Sequence, residues 1–87
     1  MLSAKKMAEV LQQLGINVLS YAESKDPKFI DGEVTLENSL SVQVGNDYAC
    51  LCHINEDDID YLLELEEIYN EVDIATQIAS FLQTWRQ

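Results

Sequence analysis

The chain has 87 residues, 47% of them hydrophobic, which predicts a single domain over residues 1–87 and argues against intrinsic disorder. Sixteen acidic residues against five basic ones give a formal net charge of -11 at pH 7. Because phosphate contacts dominate nucleic-acid affinity, this charge argues against direct binding to DNA or RNA and, for the same reason, to anionic membranes. A basic protein partner would instead be attracted.

The first predicted element is an amphipathic helix over residues 3–14. Ser3 is a suitable N-cap, and apolar residues such as Met7 and Leu11 recur at helical spacing on one face. Gly15 follows the last apolar position, as is typical of helix C-termini.

The middle of the chain predicts an antiparallel sheet of three to four strands. A short strand over residues 16–22 comes first. Apolar and polar residues then alternate between positions 33 and 44, where Asn38-Ser39 marks a turn, and a further apolar run covers residues 48–54. Turns at this spacing indicate a meander with one buried face, so the fold class is α+β.

Residues 55–86 predict one long helix or two shorter helices packed on one face of the sheet. Asn55 is a natural N-cap for the first turn. The apolar residues form two stripes, at Leu62, Leu65, Tyr69 and Val72 and at Ile74, Ile78, Phe81, Leu82 and Trp85. The two stripes lie on nearly opposite sides of a continuous helix, which favours a break near residues 70–73 with Asp73 capping a second helix. The alternative is a single long helix that joins two subunits.

One cluster of soft metal ligands stands out, in the run Cys50-Leu51-Cys52-His53. On a strand, the two cysteines point to one side and His53 to the other, whereas a zinc site needs four convergent ligands. We therefore expect no metal site, and we expect the cysteines to be small core residues beneath the helices. No phosphate-binding glycine loop or nucleophile motif is present, so we predict no cofactor and no enzymatic activity.

The predicted compartment is the cytoplasm. Two cysteines are too few for a disulfide scaffold, and their spacing of two on a strand is unfavourable for a mutual bond. The residues after Lys5 and Lys6 include Glu9 and Gln12, unlike the apolar region of a signal peptide. No apolar run approaches the roughly 20 residues of a membrane helix.

The distribution of the acids is the most informative feature of the sequence. Nine of the sixteen lie between positions 56 and 73, and no Lys or Arg occurs between Phe29 and Trp85. Four of these acids would line one face of the predicted helix, namely Asp57, Asp60, Glu64 and Glu67. Like-charged neighbours on a helix cost about 0.2–0.5 kcal/mol per pair, a cost that a basic partner would reverse.

These observations favour a non-enzymatic interaction protein whose acidic helix face binds a basic, nucleic-acid-handling partner protein. In size and acidity alone the chain resembles unrelated small inhibitors such as toxin immunity proteins, phage antagonists of host nucleases and DNA mimics, and no motif assigns it to any of these classes. The alternative is a structural or housekeeping protein that forms a homodimer through its C-terminal helical region, with acidity serving only solubility.

Overall fold

The computed structural model describes residues 2–23, 32–45, 48–66 and 70–85. Its elements, in chain order, are α1 (Ala4–Gln13), β1 (Val18–Glu23), β2 (Gly32–Leu36), β3 (Leu40–Val44), β4 (Tyr48–Ile54), β5 (Ile59–Glu66) and α2 (Glu71–Trp85). The predicted α+β class, with a helix at each end of a meander, is confirmed.

The five strands form one antiparallel sheet in the order β1-β2-β3-β4-β5, so each strand pairs with its neighbour in the chain. Val34, Val42, Leu51 and Leu63 are successive cross-strand partners and form one apolar row across four strands. Cross-strand partners share a face of the sheet, so this row marks the buried face on which both helices lie.

The core lies between this face and the two helices. Met7 and Leu11 of α1 and Ile74 and Ile78 of α2 are almost completely buried, together with the apolar row of the sheet. Burial of each such side chain stabilises the fold by about 1.5–3 kcal/mol. The two helices contact each other, and α1 also packs on β1 and β2.

Three of the predicted local signals are borne out, at Ser3, at Gly15 and at Asn38-Ser39. Ser3 caps α1, since its side-chain oxygen accepts a hydrogen bond of 3.2 Å from the Lys6 amide. Gly15 has a φ of +88° just after the helix, a conformation that glycine adopts without strain. Asn38 and Ser39 have positive φ values of 62° and 63° in the turn between β2 and β3, which is closed by a hydrogen bond of 3.2 Å from the Leu40 amide to the Glu37 carbonyl oxygen.

A second acceptor for the N-terminus of α1 comes from β1. The Glu23 carboxylate accepts hydrogen bonds from the Ala4 amide at 3.0 Å, the Lys5 amide at 3.3 Å and the Ser3 hydroxyl at 3.0 Å. Burial alone would raise the pKa of Glu23, but these hydrogen bonds and the charge of Lys5 together outweigh it, so the pKa of Glu23 is lowered. Glu23 therefore joins the first helix to the first strand.

The helix predicted to start at Asn55 is wrong, because residues 59–66 form the fifth strand. Asn55 lies in a hairpin turn instead, where its backbone N–H donates a hydrogen bond of 2.8 Å to the carbonyl oxygen of Asp58. Asn and Asp favour turns as strongly as they favour helix N-caps, so the apparent cap signal was ambiguous. Pairing with β4 places Leu65 on the buried face, opposite Ala49.

The predicted start of a helix near residues 70–73 is confirmed, whereas the single long helix and the break between two helices are wrong, because the strand β5 precedes this helix. The second helix begins at Glu71 and is capped by Asn70 rather than by Asp73: the Asp73 amide donates to Asn70 Oδ1 at 2.8 Å. Within the described ranges, no helix is long and apolar enough to cross a membrane.

Candidate partner-binding face

The face of the sheet turned away from α1 and α2 is here called the open face. Leu51 and Leu63 point toward the helices, and the cross-strand partners Cys50 and Glu64, one residue along each strand, point the other way. On the two C-terminal strands the open face consists of Tyr48, Cys50, Cys52 and Ile54 of β4 and Ile59, Tyr61, Glu64 and Glu66 of β5.

One end of the open face is apolar and exposed. Ile54 and Ile59 are cross-strand partners and are each 39% exposed, and the neighbouring Tyr61 is 58% exposed. Large apolar side chains that lie together on the surface of a small protein mark interaction sites more often than isolated ones do. This patch is therefore the first candidate for contact with another molecule.

A β-bulge in β5 creates a depression in the surface of the open face. Tyr61 pairs with Cys52 and Leu63 pairs with Leu51, so Leu62 is an extra residue without a partner in β4. Leu62 and Leu63 both pack against the core, so neither side chain covers the open face between Tyr61 and Glu64. A shallow depression of about 290 Å³ lies here, lined by Tyr48, Ala49, Cys50, Tyr61, Glu64, Leu65 and Glu66.

The acids of the open face stand beside this depression and the apolar patch. Glu64 is the cross-strand partner of Cys50, and Glu66 is the partner of Tyr48. Farther across the same face, Glu33 of β2 accepts a hydrogen bond of 2.7 Å from the Ser41 hydroxyl. Since no Lys or Arg occurs between Phe29 and Trp85, β2 to β5 contribute negative charge and no positive charge to this surface.

The two cysteines lie on the open face, so the prediction that they lie beneath the helices is wrong. Burial among neighbouring side chains, with the charges of Cys50, Glu33 and Glu64, raises the pKa of the Cys52 thiol to about 11. Burial, followed by the charges of Glu64 and Glu66, also raises the pKa of Cys50. Both thiols are free and are protonated at neutral pH, the opposite of what a nucleophile or a metal ligand requires.

His53 lies on the other side of the sheet from the cysteines, as the strand periodicity predicted. Its ring packs against Trp85 of α2, with ring centroids 5.7 Å apart. Among the residues that the structure describes, no group of three or more His, Cys, Asp or Glu side chains could hold a metal ion.

The four acids predicted to bind a partner do not form a single row on a helix face. Asp57 is exposed in the turn between β4 and β5, and Asp60 pairs with His53 on the helix side of the sheet. Glu64 lies on the open face. Glu67 lies outside the described residues. Of the predicted residues with a described position, only Glu64 belongs to the open face.

The interpretation of residues 55–66 as a helix does not group the other members of the open face on one surface. The signal was nevertheless present, since Ile59, Tyr61 and Leu63 alternate with polar residues at Asp60 and Glu64. A period of two along this segment predicts a strand, and only Leu62 interrupts it.

A second cavity, a groove of about 540 Å³, lies on the helix side of the sheet. It runs between the C-terminal end of α1, the β2–β3 turn and α2, and Leu14, Ile16, Leu36 and Leu82 supply its apolar lining. Among its described lining residues there is no cluster of charged groups that would select a ligand by its chemistry.

Comparison with protein-family models, with curated proteins and with solved structures finds no match for this chain.

Proposed function

We propose that the protein is a non-enzymatic interaction protein that binds a basic partner protein through its open face. The observation that carries this proposal is the proximity of an exposed apolar patch, Ile54, Ile59 and Tyr61, to the carboxylates of Glu64 and Glu66. Apolar burial would supply much of the affinity, while the acids would steer the encounter and select a positively charged surface.

The partner that fits this surface has an apolar contact area bordered by lysines or arginines. Proteins that handle nucleic acids carry basic surfaces of this kind, because they neutralise phosphates. Occupation of such a surface would compete with nucleic acid, so the protein would act as an inhibitor or antagonist of its partner.

The acids singled out in the sequence contribute to this proposal unequally. Glu64 would contact the partner directly. Asp57 and Asp60 lie near the apolar end of β5, where they would strengthen the negative potential that attracts the partner. The contribution of Glu67 remains a prediction from the sequence.

The cysteines support two further parts of the proposal, the non-enzymatic role and the cytoplasmic compartment. Because the pKa values of Cys50 and Cys52 are raised, neither thiol is activated as a nucleophile, which supports a non-enzymatic role. Both cysteines are free, which supports the cytoplasm as the proposed compartment.

A homodimer is the alternative, favoured by the exposure of the apolar patch and of Val72, which is 51% exposed on α2. A symmetric dimer through the open face would bring Glu64 and Glu66 of two copies close together, and this repulsion argues against that arrangement. A dimer through the C-terminal helix avoids this repulsion. Light scattering at low and high salt tests the alternative, since a salt-insensitive dimer would favour it over the basic partner.

The main test is affinity capture from a lysate of the source cell, with elution by a salt gradient. The immobilised proteins are the wild type, the Glu64→Lys/Glu66→Lys variant, and a control variant with Glu9→Lys/Glu37→Lys. The control carries the same change in net charge at exposed positions outside the open face.

We expect one basic protein to bind the wild type and the control and to be lost with the open-face variant. Equal loss with both variants would show that only net charge matters and would contradict a specific surface. Retention by the open-face variant would also contradict the proposal.

A further inference from the structure

We propose that the depression between Tyr61 and Glu64 is a binding site for an arginine side chain of the partner. This inference rests on the proposed function and names the group that would anchor the partner on the open face.

The depression has the chemical lining of a guanidinium site. Tyr48 and Tyr61 provide aromatic rings, Glu64 and Glu66 provide two carboxylates, and Cys50 contributes a small side chain between them. The carboxylates are two residues apart on one strand and therefore point to the same side of the sheet.

The bulge in β5 explains why this site exists between β4 and β5. Cys50 and Cys52 are two residues apart on β4, but their partners Glu64 and Tyr61 are three apart on β5. The extra backbone length is absorbed by Leu62 and Leu63, which both turn toward the core. The gap left on the open face is about 290 Å³ in volume.

Arginine fits this lining better than the other common side chains. A guanidinium is planar, stacks on aromatic rings and presents five N–H donors that two carboxylates can share. A lysine ammonium is a compact, strongly hydrated charge without the planar face. An anion would be repelled, and no Lys or Arg between Phe29 and Trp85 is available to occupy the site from within the sheet.

The environment of Cys50 supports the presence of both carboxylates at this site. The pKa of Cys50 is raised first by burial and then by the charges of Glu64 and Glu66. Both acids are therefore close enough to the floor of the depression to act on a bound cation as well.

The test uses NMR titration of the isotope-labelled protein at low salt with a blocked Gly-Arg-Gly tripeptide. The control peptide replaces arginine with citrulline, which has nearly the same shape but no charge. We expect a dissociation constant on the order of 1 mM for the arginine peptide, with shift changes centred on Tyr61 and Glu64, and at least about tenfold weaker binding of the citrulline peptide. A lysine peptide that binds as well as the arginine peptide would contradict the guanidinium assignment.

Substitutions of single residues and pairs test which side chains bind the arginine peptide. Glu64→Gln/Glu66→Gln should weaken arginine-peptide binding at least about tenfold, whereas Glu9→Gln/Glu37→Gln, with the same change in charge, should leave it nearly unchanged. Tyr61 is exposed, so Tyr61→Leu should preserve the fold while weakening binding about two- to fivefold through loss of the ring.

Unchanged binding in the Glu64/Glu66 variant, or no binding by the wild type, would overturn the arginine site. If affinity capture still depended on Glu64 and Glu66 in that case, the proposed function would stand and only the arginine anchor would fail. If capture also failed to depend on them, both proposals would fall.

Discussion

Asp60 and Glu64 lie on opposite faces of the sheet although they are four residues apart, a spacing that puts two residues on the same face of a regular strand. Asp60 pairs with His53 on the helix side, and Glu64 pairs with Cys50 on the open face. The extra residue Leu62 reverses the alternation between them. One bulge therefore separates acids that the sequence pattern would group together.

Deletion of Leu62 should remove the bulge without moving Asp60, Tyr61 or Glu64 to another face of the sheet. The parts of β5 before and after the deletion would then pair with β4 in one regular register. We expect a folded protein that is destabilised by about 1–3 kcal/mol, because one partly buried leucine is lost from the core. Chemical denaturation measures the decrease in unfolding free energy. Cross-strand nuclear Overhauser effects should still connect β4 and β5.

The matched control is deletion of Gln43 from β3, a strand whose pairings contain no bulge. This deletion should shift part of a central strand by one residue and turn apolar side chains out of the core, so cooperative folding should be lost. If the Leu62 deletion were as damaging as the Gln43 deletion, the assignment of Leu62 as the extra residue would be wrong. The Leu62 deletion should also abolish binding of the arginine peptide.

Glu23→Gln should destabilise the protein at pH 7 by about 1 kcal/mol, because a charged acceptor at the N-terminus of α1 becomes neutral. The folded-state pKa of Glu23 lies below its ordinary value of 4.5, so its contribution is present above that value and is lost as the pH falls through the lowered pKa. Urea denaturation of the two proteins across this pH range measures the difference. Glu9→Gln, on the exposed side of α1, is the control. If the difference in unfolding free energy between the wild type and Glu23→Gln grew toward acidic pH, the lowered pKa of Glu23 would be contradicted.

Cys52 should react slowly with iodoacetamide in the folded protein at about pH 8. A rise in the pKa of its thiol from the ordinary 9.0 to about 11 makes the reactive thiolate fraction roughly 100-fold smaller, and burial restricts access further. Cys50 is only partly buried and should be alkylated first. Peptide mass spectrometry over time resolves the two sites, and denaturation in urea should make them equally reactive. Faster alkylation of Cys52 than of Cys50 in the folded state would show that the open face is arranged differently.

Ile78→Ala should cost about 2–5 kcal/mol of unfolding free energy, because Ile78 is 1% exposed between α2 and the sheet and its truncation leaves a cavity. Ile54→Ala removes the same atoms from a side chain that is 39% exposed on the open face and should cost much less. Thermal and chemical denaturation of both variants provide the comparison. Equal losses would mean that the open face is covered by something else in solution, which a second copy of the chain could provide.

The sequence predicted most of the secondary structure because the signals were local. Ser3 and Gly15 marked the ends of the first helix, and the alternating segments between positions 33 and 54 became three neighbouring strands. It failed over residues 55–66, where Asn55 and Asp58 serve equally well in a turn or at a helix start. Whether this segment forms a turn and a strand or a helix depends on whether β4 offers a free edge for pairing. That is a property of the assembled sheet.

The sequence by itself determined the charge, the α+β class and the alternation of apolar residues, since these follow from composition and from contacts between residues near in the chain. Only the tertiary structure decided which surface the acids occupy. Both described helices pack on one side of the sheet and none on the other, and Leu62 and Leu63 both pack against the core, which turns Asp60 and Glu64 to different faces. These choices depend on contacts between residues distant in the chain, and a local pattern does not encode them.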